Sequence, residues 1–68
     1  MPYASNDDLP PSVANHLPEH AQDIFRAAFN HAWVEHDGDE ETAFRIAWSA
    51  VKRSYHKLGD KWVPIGGR

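Results

Sequence analysis

The chain has 68 residues, a net charge of −3 and no cysteine. That length admits one small core and no second domain, and the missing thiols exclude a disulfide framework or a thiolate metal site. The negative balance argues against indiscriminate attraction to nucleic acid or anionic lipid.

MPYASNDDLPP carries neither a basic region nor an apolar run, and no stretch approaches the roughly 18 apolar residues of a membrane span. A cytoplasmic protein is the expectation. Residues 1–8 read as a polar, turn-rich arm with Tyr3 as its anchor. Leu9 and Pro10 each precede a proline and so avoid helical backbone, which makes Pro11 the first residue of a short helix ending near His16. Leu17-Pro18 repeats the device and opens the next helix, with each leucine packing where the chain turns.

In residues 17–33, LPEHAQDIFRAAFNHAW, the side chains of Ala21, Ile24, Phe25, Ala28, Phe29 and Ala32 fall within an arc of roughly 140°, with Trp33 just beyond it. Asp23, Arg26 and Asn30 occupy the opposite side, where the i, i+3 spacing of Asp23 and Arg26 predicts a weak, solvated ion pair. EHDGDEE breaks the periodicity: Gly38 suits a helix exit, and the following acids suit a new amino terminus. The third helix spans residues 40–55, with Phe44, Ala47, Trp48, Val51, Tyr55 and Leu58 on one face. Ala43, Ile46 and Ala50 form a second apolar strip for the first helix or the arm to cover. Lys52, Arg53 and Lys57 fall in the last helical turns, and Gly59 is the stop. DKWV is too short for a helix, so Trp62 packs back on the hairpin, and residues 61–63 pair with residues 2–4. Residues 64–68 are expected to fray.

The predicted architecture is mainly α, one short and two long helices in an antiparallel hairpin, with a minimal two-stranded pairing of the termini. It forms a single domain over residues 1–68.

Five histidines invite a metal site, and His31, Glu35 and His36 come nearest to one. Their His-x-x-x-Glu-His order fits neither HExxH nor HxxEH, so helix-end histidines are the expectation and no metal is assigned. The acidic loop fails as a calcium loop: counted from Glu35, the glycine falls fourth and Ile46 stands where the bidentate glutamate belongs. No cysteine nucleophile or glycine-rich phosphate loop appears, so neither enzymatic activity nor a cofactor is expected. Arg45, Lys52, Arg53, Lys57 and Lys61 form the basic concentration of the chain, although Arg45 and Lys52 project away from Lys57. These five, with Trp33 and Trp62 as edge aromatics, are the candidate interaction surface.

MPY, DLP, LPEHAQDIF, AFNHAW, then AW at Ala47-Trp48, VK at Val51-Lys52, Tyr55 and KW at Lys61-Trp62 together resemble the ChaB family. The resemblance covers nearly the whole chain and departs from it in the shorter loop over residues 34–41 and in the GGR tail. It implies a helical fold with a small terminal sheet, likened to part of a cyclin box. It also implies a cation transport regulator, a small cytoplasmic protein acting on the ChaA sodium or calcium/proton antiporter. Relatives fused to nucleic-acid-associated modules imply an alternative: an accessory domain binding nucleic acid through Arg45, Lys52, Arg53 and Lys57.

Overall fold

A computed structural model describes residues 3–65. A 3₁₀ turn at Asn6–Asp8 leads into helix α1, Pro11–Ala14, followed by α2, Glu19–Glu35, and α3, Glu40–Ser54. Strands β1, Tyr55–Leu58, and β2, Lys61–Pro64, complete the chain. Phe25 meets Trp48 at a ring separation of 5.2 Å, and Phe29 meets Phe44 at 4.9 Å. Residue numbers thus rise along α2 as they fall along α3, so the two long helices are antiparallel, as the hairpin reading expects.

Prolines set the helix starts. Pro11 is the first residue of α1, and Pro18 caps α2 by accepting the Gln22 amide on its carbonyl. Leu9 and Leu17, the two leucines preceding proline pairs or starts, are both buried, each seating a chain reversal on the core. Gln22 donates its side-chain amide to the carbonyls of Ala14 and Leu17, which closes the end of α1 onto α2.

The core runs along Ala21, Phe25, Phe29 and Ala32 of α2 and Ala43, Ala47 and Val51 of α3. Alanines at the crossing let the helix backbones approach, and Phe44 and Trp48 close over the phenylalanines from one side. Ala43 therefore belongs to the centre of the interface and not to a second strip. Ile46 and Ala50 are left on a face that the first helix and the described residues of the arm do not line.

The arm is held by side chains. Asn30 accepts the Tyr3 amide on Oδ1 and donates Nδ2 to the Tyr3 carbonyl, both at 2.8 Å, while the Tyr3 ring lies 4.9 Å from Phe29. Below it, Arg26 donates to Asn6 Oδ1, and Asn6 donates to Asp23 Oδ1. The Asp23–Arg26 pair, 3.7 Å apart, is thus part of a network that pins the 3₁₀ turn to α2.

α2 ends in a Schellman geometry: Gly38 donates its amide to the Trp33 carbonyl, and Asp37 donates to Val34. Asp37 and Gly38 both have positive φ, 55° and 80°. Asp39 then caps α3, its carboxylate accepting the Thr42 amide and hydroxyl.

Two expectations about the carboxy-terminal third are corrected. α3 stops at Ser54, because Tyr55 adopts extended backbone (φ −133°, ψ 152°) while its side chain stays buried. The 47, 51, 55 spacing suits a helix face, but a buried Tyr55 at the first position of a strand satisfies it equally. Leu58 is accordingly 64% exposed and Lys57 lies on β1. The sheet is also formed differently: residues 61–63 pair with β1, in the register His56 to Val63 and Lys57 to Trp62, while Tyr3 is held by Asn30. Gly59, at φ +68°, opens the two-residue connection with Asp60, the position at which a type II′ hairpin turn takes glycine. A lone two-stranded hairpin is marginal in water, and this one is fixed by buried Tyr55 and by Trp62, 5.6 Å from Trp48. Pro64, expected to fray, pairs with Tyr55; Pro2 and residues 66–68 lie outside the described residues.

Candidate interaction surface

Helix geometry brings part of the basic set together. Arg45, Ser49 and Arg53 recur at four-residue intervals on α3, so the two guanidinium stems leave the same side of the helix about 12 Å apart along its axis. Between them lies the uncovered strip. Ala28 and His31 of α2 with Arg45, Ile46, Ser49, Ala50 and Arg53 of α3 line an open groove of about 440 Å³. Its floor is apolar, formed by Ala28, Ala50 and Ile46, the last 36% exposed. Its rim is basic.

The electrostatics of that rim are unbalanced. Acidic residues outnumber Lys and Arg by ten to seven in the sequence, yet among the described residues the one Lys or Arg within ion-pair distance of a carboxylate is Arg26, beside Asp23. Neither Arg45 nor Arg53 has a carboxylate within ion-pair distance among the described residues. His31, across the groove, lies 3.5 Å from Glu35 one turn along α2. Glu35 and His36, read with His31 as the nearest approach to a metal site, form no cluster with a third ligand among the described residues.

The remaining candidates are elsewhere. Lys61 and Trp62 line a second cleft of about 400 Å³ with Asn15, His16, Leu17, Pro18 and Asp60, which holds one cation and one acid in place of two arginines. Lys57 stands opposite Trp62 on the hairpin, and Lys52 is exposed on α3 outside both clefts. Trp33 is half-buried at the far end of α2, stacked 5.9 Å from Phe29 and against Gly38, where an added Cβ would meet its ring at 3.4 Å. It is an edge of the core. The groove residues that sequence reasoning missed are Ala28, His31, Ile46, Ser49 and Ala50. For Ile46 and Ala50 the signal is the apolar 46, 50 spacing, which equally describes a strip for the first helix or the arm to cover.

Two carboxyl or phenol groups depart from their ordinary titration. Hydrogen bonds from the Thr42 side chain and amide hold the Asp39 carboxyl below the usual range, and burial with the nearby Glu40 charge pushes the Tyr3 phenol up. Both belong to structural contacts outside the groove.

The ChaB family model matches residues 9–64. Proteins named "Putative cation transport regulator ChaB" from Escherichia coli K12 and Shigella flexneri are each 47% identical over 72 aligned positions, covering 91% of this chain and 95% of theirs. The NMR solution structure of the "putative cation transport regulator ChaB" superposes with a TM-score of 0.85 at 45% identity, covering 96% of this chain and all of the other.

Proposed function

The chain belongs to the ChaB family, and from that premise we propose a non-enzymatic regulatory domain that binds a sodium or calcium/proton antiporter from the cytoplasmic side. The observation that carries the reading is the Arg45–Arg53 groove: an apolar floor and two arginines with no carboxylate partner among the described residues. A surface of that composition serves protein contact better than chemistry, because it offers an apolar anchor and charge, while its Ser49 hydroxyl is not hydrogen-bonded to His31, the base that lines the same groove. Among the described residues no helix is long and apolar enough to cross a membrane, so the contact is with the antiporter's exposed segments.

Regulation follows from differential affinity. A partner that binds one transporter conformation tenfold more tightly, about 1.4 kcal/mol, moves an evenly balanced pair of states to about ten to one. The groove suits that task, since planar guanidinium groups pair bidentately only with carboxylates placed to meet them. The nucleic-acid alternative is less well supported. Arg45, Lys52, Arg53 and Lys57 are divided between the groove, the outer side of α3 and the hairpin, and form no continuous row for a phosphate backbone.

The reading is tested by capture from detergent-solubilised cells on tagged protein, with and without nuclease. Recovery of a cation antiporter from both samples is the expected result. Recovery only of nuclease-sensitive partners would overturn it.

A further inference from the structure

We infer that the Arg45–Arg53 groove takes an acidic amphipathic helix, one carrying carboxylates at positions i and i+7 and apolar side chains at i+3 and i+4. The inference rests on the proposal that this chain acts by binding another protein, and it names the chemistry of the segment bound.

Charge decides the sign of the ligand. Arg26 is engaged by Asn6 and Asp23, whereas Arg45 and Arg53 are exposed and without an ion-pair partner among the described residues. Guanidinium groups pair bidentately with carboxylates and are more weakly hydrated than ammonium groups, so these two are suited to contacts that exclude water. Their separation of about 12 Å, two turns of helix, matches carboxylates seven or eight residues apart on one side of a facing helix.

The floor decides the backbone. Ala28, Ser49 and Ala50 keep the groove shallow-walled, so a third helix can approach α2 and α3 to ordinary packing distance, on the order of 8–10 Å between axes. An extended peptide would find no sheet edge here, since the groove is walled by two helices whose backbone groups already pair internally. A helix brings its own hydrogen bonds and sets one apolar turn over Ile46. Duplex nucleic acid presents phosphates at the required distance, but the sugar–phosphate edge that meets the two arginines is polar and covers Ile46 less well than the leucines of a helix do.

The probe is a synthetic, fluorescently labelled 16-residue peptide of Ala and Gln bearing two Glu at i and i+7 and two Leu at i+3 and i+4. It is titrated against the full chain at low salt by anisotropy. Saturable binding is expected, weakening by about tenfold in the double variant Arg45→Glu/Arg53→Glu, in line with losing and reversing two rim pairs. A peptide with Lys in place of both Glu should recover binding to that variant. Lys52→Glu, outside the groove, should leave affinity unchanged, and circular dichroism should show all variants folded, since all three side chains are exposed.

The inference is overturned by no saturable binding at millimolar peptide. Equal affinity in the double variant overturns it too, as does displacement of the peptide by a mixed-sequence oligonucleotide that binds more tightly and loses its grip in the same variant. Antiporter capture by the wild-type chain is read separately. Capture without peptide binding means that the partner uses another surface, and peptide binding without capture means that the acidic helix belongs to a different protein.

Discussion

Replacing Asn30 by alanine removes the clamp on the amino-terminal arm, and the cost can be worked from its contacts. Two partly buried hydrogen bonds of 2.8 Å disappear, each contributing about 1 kcal/mol net. With Tyr3 released, the ring contact with Phe29 at 4.9 Å is also loosened, a further loss of about 0.5–1 kcal/mol. Alanine regains about 0.5 kcal/mol through its higher helix propensity. The net loss is about 2 kcal/mol, a fall in Tm of roughly 8–16 °C for a domain of this size. Thermal unfolding followed by circular dichroism measures it. The Tyr3 phenol supplies a local readout, because burial and Glu40 raise its pKa in the folded chain. A raised folded-state pKa contributes stability that is fully present below the ordinary value, about 10, and lost as pH climbs through the raised one. The stability gap between wild type and Asn30→Ala should therefore narrow in alkali, and absorbance titration should show one phenol returning toward its ordinary value. A Tm within about 3 °C of wild type, with both phenols unchanged, would refute the clamp.

Other substitutions probe the turns and the core. Asp39→Ala removes the carboxylate that accepts from Thr42 and should lower Tm. Because the Asp39 pKa is depressed in the folded chain, its contribution is present above the ordinary carboxylate range and lost as acid takes the pH down through the depressed value. The two curves of Tm against pH should converge there. Asp37→Gly should stabilise the chain by about 1 kcal/mol by relieving a left-handed backbone, and Gly59→Ala should cost about as much for the same reason in the hairpin. Both are read by denaturant midpoint. Phe25→Ala empties the centre of the aromatic cluster and should cost about 3–5 kcal/mol, leaving the domain largely unfolded at 37 °C by near-ultraviolet circular dichroism.

The helices were legible because proline chemistry and apolar period agree. Pro11 and Pro18 mark starts that the hydrogen bonds respect, and the α2 face from Ala21 to Ala32 is the buried one. The end of α3 was not, because Tyr55 serves a helix face and a strand equally well, and the choice depends on the Gly59 turn and on Trp48 waiting for Trp62. The role of Asn30 was hidden for a different reason. On a helical wheel it is a polar residue facing away from the core, and its partner, Tyr3, lies 27 residues away in an arm without periodicity. Of the candidate site, Arg45 and Arg53 were visible as cations, but their grouping with Ile46 and Ala50 required knowing that nothing in residues 3–18 covers that strip.

Cation flux through the antiporter reconstituted in vesicles, with purified protein added to the face corresponding to the cytoplasm, tests the central claim most directly. Wild-type protein should change the flux saturably, and Arg45→Glu/Arg53→Glu, folded by circular dichroism, should require about tenfold more protein for the same change. Flux unmoved by a large excess of wild-type protein, or moved equally by the double variant, would contradict an antiporter regulator acting through the Arg45–Arg53 groove.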